Sequence, residues 1–453
     1  MRCRELQAYI FVGALWALLQ ASSGYSPPVI QNSDGSLGGQ YLIKIKAGYD
    51  IDAVAKEIED LIVPDDSKSK VHAEIKHKIK NVVPVIVARL NFKAQEKIQT
   101  VAGIEYIEED GIVKEENLAS DKDTKVPKDY GLDRINQLDS GLDGNVTING
   151  DGFGTNIYLL DTGIQDLHRD FECRARHAYD AFGGDGFDTC TGHGTAVAGI
   201  IAGSRYGVAK RATMHSLKVI GCEAETGSYE NHAVSYVMLG LDWVMRNKVS
   251  PCVVVLALST GGSRVLDEAV KTIHDAGCVV VAAAGRSELA KTDEGQPKFF
   301  PVGLGYRAPL PPTTPDPNKV DLDNYIHEAC ARSPARSPYV VTVAAIGSTD
   351  TVPSWSNTGL CVDLFAPGES IYTVNFKNDD DFFYASGTAM AAAYVAGAAA
   401  VHIANGVTEV PDILPPQVVN NLVKMKILKD TSTCMVLNAG EGTPNRLLYL
   451  QPN

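Results

Sequence analysis

Residues Ile157 to Gly163 read IYLLDTG, and this segment gives the clearest indication of the fold. Its first four residues are an apolar run that predicts a buried strand, and the carboxylate of Asp161 follows where that strand ends. Similar runs and helical patterns alternate along the chain, with strands at Met214–Ile220, Val253–Leu258, Val279–Ala283 and Val340–Ala345 and helices at Thr195–Ala202, Tyr229–Arg246 and Leu266–Ala276. The alternation predicts an α/β fold, a doubly wound and mostly parallel sheet with helices on both faces and its site at the carboxyl ends of the strands.

The composition of the whole chain narrows the functions to consider. Its 453 residues include 41 Lys and Arg against 55 Asp and Glu, which gives a formal net charge of −14. An acidic chain is a poor partner for polyanions, so we expect no nucleic-acid binding. Hydrophobic residues make up 45% and charged residues 21%, which are values of a folded protein and exclude wholesale disorder.

Residues 1–24 have the pattern of a secretory signal peptide. Arg2 and Arg4 precede an apolar run from Ala8 to Leu19, and small residues follow it up to Gly24. The run is shorter than the ~20 residues that a membrane-spanning helix needs, and no later stretch reads as long and apolar enough to span. We therefore expect a secreted, extracellular protein without a membrane partner.

The cysteines agree with export. Once Cys3 leaves with the signal peptide, an even number remains, which in an exported chain predicts disulfides. The remaining cysteines are Cys173, Cys190, Cys222, Cys252, Cys278, Cys330, Cys361 and Cys434. Because no CxxC pair occurs, a zinc site has little support. Asn145 begins the sequence Asn-Val-Thr, which makes it a candidate glycosylation site.

The chain is expected to contain two folded domains. Residues 25–38 read as a linker, and residues 39–118 read as a small α+β domain because strands and helices alternate there. The patterns are a strand at Tyr41–Ile45, a helix at Ile51–Leu61, a strand at Val85–Leu90, a helix at Lys93–Val101 and a strand at Ile104–Ile107. A polar connector at 119–130 leads to the α/β domain at 131–453. Its proline-rich residues 287–326 read as an insertion, either a surface loop or an ordered lobe.

Two polar motifs fit together as catalytic machinery. Asp161 ends a strand, and the segment Gly192–Thr195, GHGT, opens a helix. Each motif alone is more often structural, the Asp as a cap or turn former and the His as a packing residue. Together, however, they supply the carboxylate and imidazole that a general base requires. A nucleophile is then expected in Ser386–Ala391, SGTAMA, which precedes a helix of small residues at 392–404.

With these motifs in this order, the chain resembles a subtilase, a subtilisin-like serine peptidase of the proteinase K-like branch, over nearly its whole length. The resemblance implies that Asp161 and His193 are the acid and the base of a serine endopeptidase. It implies that residues 39–118 are a ferredoxin-like inhibitory propeptide and that 131–136 begin the mature domain. It also implies a peptide cleft, whose edges are Gly227, Ser228 and Tyr229 on one side and Leu258, Ser259, Thr260, Gly261 and Gly262 on the other.

The chain departs from the family pattern where the chemistry is performed. The residue after Ser-Gly-Thr, which is the nucleophilic serine of the family, is Ala389, and a methyl group cannot attack a carbonyl. Ser386 is the usual first residue of the motif, three positions away, and does not replace it. The oxyanion asparagine of the family is Arg286 here, a donor of different length and geometry. Ala393 and Tyr394 replace the usual Pro and His of the following helix.

These departures predict a catalytically inactive homologue, a pseudoprotease, that keeps its cleft and its propeptide. Peptide or protein segments and the chain's own propeptide are the expected partners, and a monomer is the expected state. The alternative is a serine endopeptidase with reduced or altered activity, in which His193 activates a water.

The resemblance also has implications for disulfides and ligands. It pairs Cys190 with Cys222 and Cys330 with Cys361, while the other four cysteines allow three pairings or buried free thiols. No cofactor is required. Structural calcium is frequent in the family, but no loop of this sequence identifies its ligands.

Overall fold

The computed structural model describes residues 26–62, 73–115, 126–188, 190–222, 231–286, 329–407 and 415–452. The chain divides into two compact units. The smaller unit contains residues up to 31 with 38–80 and 84–109, and the larger contains 32–37, 81–83 and 110 onward. The expected signal peptide, the expected insertion at 287–326 and residues 119–125 of the expected connector lie outside the described residues.

The smaller unit forms because alternate residues of its strands face the apolar stripes of its helices. Its described elements are β1 (Val29–Ile30), β2 (Ser36–Ile45), α1 (Ile51–Ile62), β3 (Glu74–Ile79), β4 (Val85–Arg89), α2 (Phe92–Ile98) and β5 (Ile104–Gly111). The strand order is β1-β5-β2-β4-β3, with β1 parallel to β5 and β4 antiparallel to both of its neighbours. Ile43 and Ile86 of the sheet share a buried core with Val54 and Ile58 of α1.

The elements expected in this unit are confirmed for both helices and for β2, β4 and β5. The sequence does not reveal β3, because Lys-His-Lys separates its two isoleucines and only Ile79 is fully buried. The expected linker at 25–38 contains strand residues instead, since Val29 and Ile30 form β1 and Ser36 begins β2. A strand of two residues is too short for a periodic pattern to identify.

The larger unit is built on a mostly parallel sheet, as its continuous apolar strands predict. Its described strands are β6 (Lys114–Glu115), β7 (Asn156–Asp161), β8 (Ala175–Asp180), β9 (Thr213–Lys218), β10 (Cys252–Leu256), β11 (Leu258–Gly261), β12 (Cys278–Ala283), β13 (Arg332–Ser333), β14 (Val341–Ile346), β15 (Leu364–Pro367), β16 (Ile371–Val374), β17 (Phe382–Ala385), β18 (Thr431–Thr433) and β19 (Arg446–Leu448). The main sheet has the order β18-β19-β15-β14-β12-β10-β7-β9-β8. All of its neighbouring strands are parallel except β18 and β19.

Helices cover both faces of this sheet. In the described residues they are α3 (Tyr130–Ile135), α4 (His193–Ala202), α5 (Val234–Asn247), α6 (Arg264–Asp275), α7 (Thr388–His402) and α8 (Pro416–Lys429). Helices α4 and α7 share a core with Ile157 and Leu159 on one face. On the other face, Gly240 of α5 lies against Leu160. The expected doubly wound α/β fold is therefore confirmed.

Helix α7, with its continuation to Gly406, is the one segment of the described chain that is long and apolar enough to cross a bilayer. The expectation that no segment after the signal peptide reaches this length is therefore wrong. Its apolar window is nevertheless 83% buried, and its alanines pack in the main core of the unit. The small side chains let the helix pack closely against its neighbours. The high hydropathy of this helix is therefore explained by its position in the protein core.

The disulfides within the described residues are Cys190–Cys222, Cys252–Cys278 and Cys330–Cys361. The first and third confirm the pairs that the family resemblance implies. The second joins directly opposite residues of β10 and β12 and is one of the pairings that the sequence left open. Cys173 and Cys434 are exposed thiols, rather than the buried ones the sequence allowed.

Candidate active site

Asp161 lies at the carboxyl end of β7, inside the main sheet. One neighbour of β7 is β9, with β8 beyond it, whereas the other neighbour is β10, with β12 beyond it. Where the strand order reverses in a parallel sheet, a crevice opens outside the carboxyl ends of the strands. The carboxylate that the sequence singled out therefore lies where this topology creates a site.

His193 is the first residue of α4, and its imidazole contacts Asp161. Nδ1 of His193 donates to Oδ1 of Asp161 at 2.7 Å, and both side chains are almost fully buried. Gly192 adopts the left-handed backbone conformation, with φ of +81°, just before the helix. A Cβ on Gly194 would lie 3.1 Å from Oδ1 of Asp161 and closer still to the backbone of Gly163. The two glycines of GHGT therefore allow the imidazole and the carboxylate to meet.

The charges around this pair favour a protonated imidazole. Burial lowers the pKa of His193, but the charge and the hydrogen bond of Asp161 outweigh burial, and Glu115 and Asp188 add to them, so that the pKa rises to about 9. Within the described residues, Nε2 of His193 and Oδ2 of Asp161 have no hydrogen-bond partner. The pair is thus a buried carboxylate and imidazolium, and the outward nitrogen of the imidazole is unpaired within the described part of the chain.

Asp188 fixes the start of α4 and with it the imidazole. Its carboxylate accepts hydrogen bonds from Gly192 N and from both N and Oγ1 of Thr195, at 2.9–3.2 Å. Burial raises the pKa of Asp188 to about 6, although the hydrogen bonds from Thr195 oppose that shift. An anionic cap at a helix N-terminus is stabilising, so Asp188 acts as a positioning residue for His193.

We predict that the free energy of unfolding falls as pH rises from about 6.5 to about 9 because of the pair Asp161 and His193. A histidine whose folded pKa exceeds its unfolded value contributes full stabilisation below the unfolded pKa, and this is lost as pH rises through the folded pKa. One such group gives a slope of at most ~1.4 kcal/mol per pH unit. Urea unfolding across this interval measures the slope. The Asp161→Asn variant should flatten it, and an unchanged slope in that variant contradicts the assignment.

Ala389 is the second residue of α7 and is fully buried in the first turn of that helix. Helix α7 packs against α4, which begins with His193. The hydroxyl oxygen of Ser386 accepts a hydrogen bond from Ser370 N at 2.8 Å, so this serine is bound to the backbone of another segment. The start of α7 therefore presents a methyl group at the expected nucleophile position, and Ser386 has a structural partner.

Arg286 follows β12 and a turn at Gly285, whose φ is +91°. Thr388 Oγ1 donates to Gly285 O at 3.4 Å, which brings the Arg286 segment to the start of α7. The guanidinium of Arg286 lies over the ring of Trp355, with 5.7 Å between its Cζ and the ring centroid. The two departures from the family pattern, at 286 and 389, are thus brought together, and Arg286 is held by an aromatic ring.

An extended segment of the chain itself lies along the expected cleft edge Leu258–Gly262. Strand β6 is antiparallel to β11, with Leu258 and Ser259 as its partners. On the opposite side, Val113 N donates to His232 O at 3.0 Å. The extended segment Ile112–Glu115, which contains β6, is therefore hydrogen-bonded on both sides, in the manner of a peptide that adds a strand to a sheet.

This strand leads toward the histidine motif. Oε2 of Glu115 accepts a hydrogen bond from Thr191 Oγ1 at 2.7 Å, two residues before His193. One of the two expected cleft edges, Leu258–Gly262, contains β11, which pairs with β6. The other expected edge, Gly227–Tyr229, lies outside the described residues, and the described partner on that side is the segment 232–233.

A model of the subtilase family matches residues 152–433, which include the aspartate, the histidine and the helix with Ala389. The match covers well over half of the chain. The chain belongs to the subtilase family.

Two curated relatives of this subtilase are named as an extracellular proteinase and an alkaline exoprotease. The extracellular serine proteinase of Thermus sp. (strain Rt41A) is 39% identical over 325 residues, which are 71% of this chain and 66% of that relative. Alkaline serine exoprotease A of Vibrio alginolyticus is 33% identical over 364 residues, which are 80% of this chain and 58% of that relative. This subtilase spans less than two thirds of either relative's length.

Solved structures agree on the fold. A cold adapted subtilisin-like serine proteinase matches with a TM-score of 0.57 and 34% identity, over 72% of this chain and 98% of that one. Fervidolysin from Fervidobacterium pennivorans, a keratinolytic enzyme related to subtilisin, matches with a TM-score of 0.65 over 94% of this chain and 62% of its own. At 19% identity, the second match supports the fold alone.

Sequence reasoning missed three polar residues of this subtilase site: Asp188, Thr191 and Glu115. A signal for Asp188 exists, because an aspartate shortly before a helix start is a typical cap. A signal for Glu115 also exists. The apolar pair Ile112–Val113 shortly before it indicates that extended chain continues beyond the last expected strand, Ile104–Ile107. No cluster of three or more metal-ligating His, Cys, Asp or Glu side chains occurs in the described part of the chain, and the structural calcium that is frequent in the family has no assigned ligands.

Proposed function

We propose that this subtilase is a secreted pseudoprotease that holds extended peptide segments in its cleft without hydrolysing them. The observation that carries the proposal is the strand Ile112–Glu115, bound along both edges in a cleft whose nucleophile position is Ala389. Secretion is supported by the signal-peptide pattern and by the name of the extracellular Thermus relative. The exposed Asn145 fits a glycosylated surface.

Peptide hydrolysis by this family's chemistry needs a hydroxyl that His193 can deprotonate. Ala389 offers none, and the hydroxyl of Ser386 is bound to the backbone of Ser370. What remains is the hydrogen-bonded pair Asp161 and His193, together with a cleft that pairs with peptide backbone. Because function depends on the site rather than the fold, loss of the nucleophile outweighs the similarity to active relatives.

The alternative function is weak hydrolysis by a water that His193 activates. One observation favours it, because Nε2 of His193 is buried and without a partner among the described residues. The pKa of about 9 opposes it, since a protonated imidazole cannot act as a base. Any activity of this kind should therefore increase as pH rises through 9 and disappear in His193→Ala.

Without a nucleophile, the chain is expected to leave its own N-terminal domain, residues 39–118, attached. Another protease acting on the connector at 119–130 could still separate it. In the intact chain the resident ligand of the cleft is then the strand Ile112–Glu115, with which any added peptide must compete. This competition provides a direct test of binding without cleavage.

We predict that Val113→Pro raises the affinity of the full chain for an added peptide by at least about tenfold. Proline lacks the N–H that donates to His232 O, so the resident strand is held less tightly. The probe is a fluorescein-labelled peptide with the sequence of residues 110–116, DGIVKEE. Fluorescence anisotropy reports binding, and mass spectrometry reports whether the peptide stays intact.

The matched control is Val113→Ala, which keeps the N–H and removes only the two γ-methyl groups of the buried side chain. It should raise the affinity less than Val113→Pro does. Intact, bound probe is the expected result. Cleaved probe from the natural chain, or a Val113→Pro chain that binds no probe, contradicts the proposed function.

A further inference from the structure

Arg332 has an uncommon position for a charged side chain. Strand β13 is antiparallel to β11, and Arg332 lies directly opposite Gly261. Directly opposite residues of an antiparallel pair project to the same face, so the arginine side chain extends over the face that Gly261 leaves bare. Its side chain is only 16% exposed, and this burial lowers the pKa of the guanidinium. A cation buried to this degree requires a partner.

The partner comes from the turn Asn32–Gly35, which belongs to the same compact unit. Asp34 forms an ion pair with Arg332, and its side chain is 18% exposed. The turn is compact because Asp34 N donates to Asn32 Oδ1 at 3.1 Å. Ser33 Oγ and Asp34 N lie 2.7 and 3.0 Å from where a Cβ of Gly261 would be, so the missing side chain makes room for the turn.

The turn also contacts the strand in the cleft. Ile112 N donates to Gly35 O at 3.1 Å, and Thr260 Oγ1 donates to Ile112 O at 2.8 Å. The site of Arg332 is therefore continuous with the peptide cleft at the end opposite the histidine motif. A ligand that replaces the strand and the turn would meet both surfaces.

A neighbouring arginine, Arg336, differs from Arg332 in where its carboxylate partner comes from. Arg336, one turn further along the chain, is paired with Asp267 of α6 at 2.6 Å, and that carboxylate belongs to the folded core of the unit. Arg332 instead takes its carboxylate from a short N-terminal turn. If that turn leaves, Arg336 keeps its partner and Arg332 loses the carboxylate of Asp34.

We propose that Arg332 forms a carboxylate-binding subsite beside the cleft, occupied by Asp34 in the intact chain and open to an acidic peptide segment of a partner when the turn leaves. The proposal rests on the proposed function, since it names the class of peptide that the cleft selects. The carboxylate of Asp34 leaves with the turn, so a ligand that restores a carboxylate beside Arg332 is preferred over its amide counterpart.

The test uses the full chain with Asp34→Lys, because a second cation beside Arg332 expels the resident turn. Two fluorescein-labelled probes are compared by anisotropy. One has the sequence of residues 30–38, IQNSDGSLG, and the other carries Asn in place of its Asp. The Asp34→Lys chain should bind the acidic probe at least about tenfold more tightly than the amide probe, and 0.5 M salt should reduce this ratio. The milder variant Asp34→Asn should show the same preference to a smaller extent.

Two further variants locate the preference. Arg332→Gln in the Asp34→Lys background should abolish the difference between the probes. Arg336→Gln in the same background, which removes an arginine with its own core carboxylate, should leave it.

Equal binding of the two probes to Asp34→Lys, or no binding of either, overturns the subsite. If the 110–116 probe still binds the Val113→Pro chain, the proposed function survives that result. If the 110–116 probe fails as well, the proposed function has failed.

Discussion

The double variant Ala389→Ser, Arg286→Asn is expected to hydrolyse peptides at a rate several orders of magnitude above that of the natural chain. The expectation follows from the retained geometry, because His193 already donates to Asp161 at 2.7 Å and its outward nitrogen has no described partner. A serine at 389 would supply the missing hydroxyl at the start of α7. Hydrolysis of a chromogenic peptide by the purified full chain measures the gain.

Rate losses known for subtilisin indicate how much of the gain in hydrolysis each of the two substitutions should contribute. In subtilisin, a member of this family, loss of the nucleophile lowers kcat about 2 × 10⁶-fold. Loss of the oxyanion amide there costs about 10²–10³-fold. Ala389→Ser alone should therefore recover part of the activity, and adding Arg286→Asn should increase it further. Arg286→Asn alone should recover almost nothing, because an oxyanion donor without a nucleophile serves only residual attack by water.

Adding His193→Ala to the double variant provides the control and should abolish the gained activity. Adding Ser386→Ala should leave most of it, because Ser386 is bound to the backbone of Ser370. A folded double variant that hydrolyses no more peptide than the natural chain would contradict the proposal that positions 286 and 389 make the natural chain inactive.

Arg134→Ala is expected to lower the free energy of unfolding by about 3–5 kcal/mol. The guanidinium of Arg134 binds both carboxylate oxygens of Asp350, at 2.7 and 3.1 Å, and donates to Gln137 O at 2.9 Å. The two side chains are 2% and 7% exposed. Removing the arginine leaves Asp350 as a buried charge without its partner, which costs far more than the loss of a surface pair.

The control for this effect is Arg211→Ala. Arg211 pairs with Asp151 at 3.4 Å, and these side chains are 60% and 43% exposed. Water and salt screen such a pair, so its loss should cost less than about 1 kcal/mol. Urea unfolding under non-reducing conditions compares the two variants. Equal small losses would mean that the pair of Arg134 and Asp350 does not stabilise the fold.

The sequence predicts the main sheet of this subtilase well, because buried parallel strands appear in the sequence as continuous apolar runs. Ile157–Leu160 is such a run, and the structure gives β7 over nearly the same residues. The edge strand β3 escapes prediction, because its charged residues face water and its pattern resembles that of a polar loop. Strand β1 escapes because pairing with β5, rather than any local preference, makes Val29 and Ile30 a strand.

The residues of the candidate site likewise fall into those that the sequence identifies and those that only the structure reveals. Asp161, His193 and Ala389 are identified by short motifs, since glycines and strand or helix ends fix their local geometry. The pairing of Asp34 with Arg332 joins residues almost 300 positions apart, and nothing local to either one indicates the other. The contact of Glu115 with Thr191 likewise depends on how the cleft strand is placed by tertiary structure. Motifs thus identify the candidate catalytic positions, whereas the contacts of Asp34 and Glu115 require the structure.

The most direct measurement of the central claim is the reaction of the natural chain with a fluorophosphonate, which labels only an activated serine, read together with its intact mass. We predict no label and a chain that still carries residues 39–118, while the Ala389→Ser, Arg286→Asn variant takes the label and releases that domain. A natural chain that takes the label and begins near Leu118–Tyr130 would be a working serine endopeptidase and would contradict the account.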